Sequence, residues 1–275
     1  MSRPHDLDDV RQIAKKLRVS ALEMVHVARA SHIGSCFSAA DLLACLYWRC
    51  MNVRPEDPGW SQRDRMLMSK GHAAAILYAA LAHRGYFSVE ELTDYCKDGS
   101  RLTGHVTTGV PGVELSTGSL GHALSVACGL AIAAKRDMAG WRTFVMLSDG
   151  ELDEGSNWEA FLFARQHKLD NLVVIIDHNK LQGFGRVSDV LELGPLSDKL
   201  RSFRWSVREI DGHNPTQITE AIDNAPYAVG VPTVVLAHTI KGKGVDFMED
   251  SLEWHYRSPS SEQISDALGQ IRGDK

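Results

Sequence analysis

Apolar residues recur along the first part of the chain at roughly helical spacing. In "DLDDVRQIAKKLRVSALEMVHVARA" they fall at Val10, Ile13, Leu17, Leu22 and Val25, which predicts a helix. "SAADLLACLYWRCM" predicts a mostly buried helix with Ser38 as its N-cap. "HAAAILYAALAHRG" predicts a third helix, closed by Gly85. "SVEELTDYC" carries Ser88 and Glu91 at capping-box spacing. A glycine-rich stretch from Gly99 to Gly121 follows, and then an alanine-rich helix from about His122 to Met138.

The rhythm then changes. "TFVMLS", "NLVVIID", "WSVREI" and "PTVVLAHT" read as strands. "SNWEAFLFARQHK", with Ser156 and Glu159 at capping-box spacing, "PLSDKLRSF" and "PTQITEAIDNA", with Pro215 near N1, read as the helices between them. Strands alternating with helices imply a parallel sheet with right-handed crossovers. Strands that are apolar throughout imply a sheet covered on both faces. The expected fold class is α/β, a parallel β-sheet flanked by helices. "SEQISDALGQIRGDK" reads as a capped helix and a frayed tail.

Composition narrows the function classes. The chain has 275 residues, 44% hydrophobic and 24% charged, as in ordinary globular proteins. A net charge of -5 argues against a nucleic-acid partner, which usually meets a basic face. No apolar stretch is long enough to span a bilayer, and "MSRPHDLDD" lacks the apolar core of a signal peptide. Five cysteines, at 36, 45, 50, 96 and 128, form no paired metal spacing and are expected to be reduced thiols of a cytoplasmic protein.

Ligands of parallel sheets sit outside the carboxyl ends of the strands. "SDGELDEG" and "DHNKLQG" both fall there. The first alone reads equally well as a solvated turn complementing a helix dipole. The second shifts the balance. Magnesium prefers six oxygens, often with one or two carboxylates and substrate phosphates. The Asp149 carboxylate, the Asn179 amide oxygen and the Leu181 carbonyl offer three, and Gly150 lets backbone approach a phosphate.

Asp-Gly followed about thirty residues later by Asn resembles the metal–diphosphate motif of thiamine-diphosphate enzymes. The surrounding text resembles their transketolase branch over nearly the whole chain. "ARASHIGS", "RDRMLMSKGHAAAILYAAL" and "TGHV" are similar to its three histidine motifs. "GVELSTGSLGHALSVACGLAIA" is similar to its glycine-rich cofactor loop, and "IDGHN", "HTIKGKGV" and "WHYRSP" follow in the family's order. Ser148 stands where the family usually has Gly, and Ile33 where Pro is common. His178 and Lys180 also depart from its usual residues.

The resemblance implies a thiamine-diphosphate-binding fold of the diphosphate-binding type over residues 1–275. It implies thiamine diphosphate held with Mg2+ (or Ca2+ or Mn2+) on Asp149, Asn179 and Leu181. Cofactor contacts are implied at His72, Gly118, Ser119, Leu120, Gly150, Lys241 and His255 and, less firmly, at Lys70. Glu154 would be the buried acid linking two active sites of a dimer, with Glu151 and Asp153 left as surface charge. His32, His105 and His255 would be catalytic, bonding sugar hydroxyls and the donor carbonyl and passing protons near neutral pH. His5, His26, His83, His122, His167 and His178 read as packed or surface residues, and His213 as a structural turn residue.

The implied activity is transfer of a two-carbon ketol unit from a ketose, free or phosphorylated, to an aldose. A 1-deoxyxylulose-phosphate synthase-like or other acyloin-forming enzyme is the alternative. A dehydrogenase is disfavoured because "GVELSTGSLGHA" lacks the G-x-G-x-x-G spacing. A non-catalytic partner keeping only the fold is disfavoured by the intact Asp149, Asn179 and histidine set. No second run of alternating strands and helices precedes Lys275. The expectation is therefore a split transketolase, in which a separate C-terminal subunit supplies the pyrimidine-binding domain. A heterotetramer of two copies of each chain is the expected assembly.

Overall fold

The computed structural model describes residues 6–273. His5 and the tail beyond Gly273 lie outside them. Five strands form one parallel sheet: β1 (Arg65–Met68), β2 (Thr143–Ser148), β3 (Leu172–His178), β6 (Ser206–Asp211) and β7 (Thr233–His238). Their order is β1-β2-β3-β7-β6. A small hairpin of β4 (Leu181–Gln182) and β5 (Gly185–Arg186) follows β3.

Side chains alternate across a strand, so each strand feeds two cores. Phe144, Met146, Val173, Ile175 and Val235 face α1 (Leu7–Ala28), α2 (Ile33–Cys45), α3 (Ala74–Arg84) and α8 (Pro215–Asp223). Val145, Leu147, Val174, Ile176 and Leu236 face α4 (Ala123–Arg136), α5 (Gly155–Gln166) and α7 (Leu196–Ser202). The short α6 (Val187–Val190) follows the hairpin, and α9 (Ser261–Arg272) packs on α1. Burial on both faces explains why β2, β3 and β7 are apolar runs without alternation. β6 departs from that expectation. It is one of the two edge strands, and of its six residues Ile210 alone is buried.

Four local expectations are corrected. β1 has no counterpart among the expected strands: it is four residues long and starts on the charge cluster Arg63, Asp64 and Arg65. The second helix starts at Ile33 with His32 as its N-cap, not at Ser38. Ser38 lies inside it, where its hydroxyl donates to Asp177 Oδ2 at 2.6 Å. Ser88 caps a 3-10 turn, Val89–Asp94, by accepting from Glu90 N rather than through a box with Glu91. The fifth helix starts at Gly155 behind Glu154, and Ser156 Oγ donates to Gly121 O at 2.7 Å instead of capping. Pro215 does open α8, behind the Asn214 cap, and Ser260 and Gln263 form the capping box of α9. Among the described residues no helix is long and apolar enough to cross a membrane.

Candidate active site

The carboxyl ends of β2 and β3 open into a cavity of about 280 Å³. Four histidine-bearing segments and the 239–244 loop close around it. His32 occupies the left-handed region, at φ 71°, in the turn between α1 and α2. That conformation is uncommon for a residue with a Cβ. It is held by the His32 N–H donating to His255 O at 3.0 Å and by Ser31 Oγ on its Nδ1 at 2.9 Å. His72 follows β1 in the short turn Gly71–Ala73. A Cβ on Gly71 would sit 2.5 Å from the Thr117 carbonyl, so only glycine lets the 104–121 loop lie against it. Val106 N–H donates to Gly71 O at 3.2 Å, which carries His105 and Gly118 to the rim.

The four imidazoles meet. Ring centres of His32 lie 5.1 Å from His72, 4.9 Å from His255 and 6.0 Å from His105. Burial, with the charges of His105, Lys241 and Lys70, pushes the His32 pKa down to about 4. Burial and Lys241 push His255 to about 3, and burial with Lys70 holds His72 well below its usual range. At neutral pH these three rings are therefore uncharged.

Lys241 is 2% exposed. Its Nζ donates to Leu181 O at 2.9 Å and to His255 Nδ1 at 2.9 Å. An ammonium has only donors, so His255 carries its ring proton on Nε2. Burial, and then Lys70, lowers the Lys241 pKa to about 8. Lys70 is fully buried and paired with fully buried Asp177, and it also donates to Ser35 O at 2.9 Å. Its charge is thus met within the protein. Asp177 further accepts from Ser38 and Thr239. Burial would raise its pKa, but the Lys70 ammonium and these donors hold it below the usual range.

Asp149 is 1% exposed. Its Oδ2 accepts from Lys180 N–H at 2.5 Å and its Oδ1 from Gly150 N–H at 2.8 Å. Burial, aided by the charge of Asp177, raises its pKa to about 7. Asn179 Oδ1 accepts from Leu181 N–H at 3.1 Å. Asp149, Asn179 and Leu181 all line the cavity. Each of their oxygens has a lone pair beyond the bond it accepts, and the carboxylate's charge is under-compensated. Both features fit a divalent cation. No cluster of three or more His, Cys, Asp or Glu set to hold a metal occurs among the described residues, and a one-carboxylate donor set would not form one.

The expected site residues His32, His72, His105, Gly118, Leu120, Asp149, Gly150, Asn179, Leu181, Lys241 and His255 all line this cavity. Ser119 and Glu154 do not, and both are exposed. Within the single chain the buried acid of the turn is Glu151; Glu154, expected to meet a second copy, lies on the surface. Glu151 is 0% exposed and accepts from Ser69 Oγ, from Gly121 N–H at 2.9 Å and from Ser148 N–H at 3.3 Å. Asp153 is half-buried and accepts from Gln182 Nε2 at 3.0 Å, so neither is surface charge. Gly150 has a second reason to lack a side chain: its Cβ would lie 2.6 Å from Gln182 Cβ. His26, His83, His122, His167 and His178 stand outside the cavity lining. His178 packs on His238, whose role the sequence did not suggest, with ring centres 5.2 Å apart.

Comparison with known proteins agrees with this geometry. The family described as "Transketolase, thiamine diphosphate binding domain" matches residues 10–270. An apulose-4-phosphate transketolase subunit of Phocaeicola vulgatus is 41% identical over 258 residues, covering 94% of this chain and 92% of that protein. The 6-deoxy-6-sulfo-D-fructose transketolase subunit SqwG of Clostridium sp. is 39% identical over 264 residues, covering 96% of each. The solved transketolase of Campylobacter jejuni superposes with a TM-score of 0.91 at 30% identity over 97% of this chain. This chain spans 43% of that one.

Proposed function

The chain belongs to the transketolase family, and on that premise we propose that it is the diphosphate-binding subunit of a two-component transketolase. It is a transferase that moves a two-carbon ketol unit from a ketose donor to an aldose acceptor with thiamine diphosphate. Residues 1–275 form the diphosphate-binding domain, and a second chain supplies the pyrimidine-binding domain. Relatives that are themselves named as single subunits of transketolases, aligned over nearly their whole length, support that division. Two copies of each chain form the assembly, and sugars or sugar phosphates are the substrates. The transketolase names of these relatives favour ketol transfer over an acyloin-forming reaction.

One observation carries this reading. Asp149, Asn179 and the Leu181 carbonyl converge in the same cavity as His32, His72, His105 and His255. The three oxygens would hold a divalent cation, with Mg2+ the best match to hard oxygen donors. Lys241 and the cation would counter the diphosphate charge. Thiamine diphosphate, when bound, supplies the nucleophilic carbon and the electron sink for carbon–carbon bond cleavage and formation. The protein's share is orientation and proton handling. His32 and His105 bond substrate hydroxyls and accept or return their protons, and the neutral state of His32 suits it to do so. His255, with Nε2–H as donor, faces the carbonyl of the donor sugar.

Calorimetric titration of the chain with thiamine diphosphate and MgCl2 tests the assignment. Binding should depend on the metal and fall at least about tenfold in Asp149→Ala, which removes a charged ligand. Unchanged affinity in that variant, or with a chelator present, sinks it. His32→Ala and His105→Ala should lower turnover of the complete assembly more than they weaken cofactor binding. Equal losses in both would make these histidines cofactor or folding residues.

A further inference from the structure

A chain of buried polar groups runs from α1 to the Lys241 loop without touching the cavity. Asp41, on α2, has a side chain 10% exposed, and that of His213, in the turn after β6, is 12% exposed. Neither lines the cavity. Arg18 Nη2, from α1, donates to Asp41 Oδ2 at 2.6 Å and to Phe37 O at 3.0 Å. The same Asp41 oxygen lies 2.8 Å from His213 Nδ1. On the far side of the ring, the Ile240 N–H donates to His213 Nε2 at 2.9 Å.

The backbone N–H of Ile240 can only donate, so Nε2 must accept. The ring proton therefore sits on Nδ1 and donates to the Asp41 carboxylate. Only this tautomer satisfies both neighbours, and the carboxylate behind the ring selects it. Ile240 immediately precedes Lys241, whose ammonium spans Leu181 O and His255 Nδ1. The loop has other anchors. Thr239 N–H donates to His178 O at 3.2 Å and Gly242 N–H to Gly34 O at 3.0 Å. Those bonds fix the residues two before and one after Lys241. The bond to His213 fixes the peptide group that joins Ile240 to its predecessor, directly before the lysine. Asp41 also belongs to the helix whose N-cap is His32. The network thus refers the lysine loop to the helix that presents His32.

We propose that His213, oriented by Asp41, is a positioning residue for Lys241: it sets the exit of β7 so that Nζ reaches Leu181 O and His255 Nδ1 together. The consequence for cofactor binding rests on the function proposed above. The effect on the loop does not.

The test compares wild type with His213→Asn and His213→Gln. Asparagine reaches Asp41 but falls short of Ile240. Glutamine extends far enough to offer an oxygen to the Ile240 N–H. Amide hydrogen exchange is followed on the full ligand-free chain, at the peptide that holds Ile240. Exchange there should rise about tenfold or more in His213→Asn, because the amide loses its acceptor, and stay near wild type in His213→Gln. Affinity for thiamine diphosphate with MgCl2 should fall about fivefold in His213→Asn, the equivalent of one lost hydrogen bond, and recover in His213→Gln. His213→Ala replaces asparagine in the comparison if that variant folds poorly. Unchanged Ile240 exchange in the variant lacking the acceptor overturns the proposal. So does equal loss in the short and long substitutions, which would mean that the ring only fills space. If wild type itself fails to bind thiamine diphosphate, the proposed function falls, and the exchange comparison still decides the role of His213.

Discussion

Replacing Asp149 by Asn should stabilise the ligand-free chain while removing its ability to hold a cation. The Asp149 carboxyl is 1% exposed, and burial with the nearby charge of Asp177 raises its pKa to about 7. One pKa unit corresponds to ~1.4 kcal/mol, so ionising this group in the ligand-free fold costs about 4 kcal/mol more than ionising it in the unfolded chain. Asparagine removes that cost. It has one oxygen for the two N–H donors of Gly150 and Lys180, which forfeits about 1–1.5 kcal/mol. The net gain at pH 8 is about 2–3 kcal/mol, or roughly 4–5 °C in Tm at this chain length.

The pH dependence has a definite sign. The folded-state pKa is raised, so the folded chain keeps a proton that the unfolded chain has already lost. Wild-type stability therefore falls as pH rises from the ordinary carboxylate range to about 7, and levels above it. Near pH 5 the advantage of the variant should vanish. Thermal melts of both proteins with a chelator, at pH 5 and pH 8, measure this directly. Adding MgCl2 and thiamine diphosphate at about a hundred times Kd should then raise the wild-type melt by roughly 2.7 kcal/mol equivalent and leave Asp149→Asn unmoved. A variant that melts below wild type at pH 8 would refute the argument that this carboxylate is held at an energetic loss.

Three further outcomes are expected. Lys70→Met should lose about 3–5 kcal/mol, because it strands the fully buried Asp177. Arg186→Met should lose far less, since its pair with Asp250 is exposed. Urea melts compare the two, and similar losses would contradict the ranking. Glu151→Gln should lower Tm and speed amide exchange at Gly121, because a single amide oxygen cannot serve Ser69, Gly121 and Ser148 together. Unchanged exchange there would show that the acid does not pin the loop. One thiol, Cys96, should react with a disulfide reagent in the native chain, and five after denaturation, because Cys36, Cys45, Cys50 and Cys128 are buried with their pKa values pushed up by burial. Rapid native reaction of more than one would argue against that packing.

The fold and site are legible in the sequence where one residue's neighbours along the chain decide its fate. β2, β3 and β7 are short apolar runs, and the chemistry of Asp149 and Asn179 follows directly after two of them. β1 is hard to see because only Met66, Leu67 and Met68 carry its signal, beside a charge cluster. The acidic turn misleads for a different reason. Glu151 and Asp153 have the composition of a solvated turn, whereas two of the three donors to Glu151 come from Ser69 and Gly121, far off in sequence. Resemblance gives Glu154 a role between two copies, and in the single chain it lies on the surface. Lys70 offers one readable hint. An aspartate, Asp177, ends the apolar run "VVIID", and an acid in such a place needs a buried cation. His213 looks like a turn residue and is one, yet its bond to Ile240 joins segments that no local pattern connects.

The bond from His32 N–H to His255 O has a consequence for how the protein is made. A ribosome adds roughly 5–20 residues per second, so His32 waits at least about ten seconds for the residue that fixes its backbone. Lys241 and Tyr256, which also line the cavity, emerge within the same late interval. The nascent chain can bury much of its first core early, but its pocket has no complete wall until Tyr256 has emerged. A cofactor present in the cell would meet a formed site only on chains synthesised past this point, so truncated products of stalled translation could accumulate without drawing on the vitamin pool.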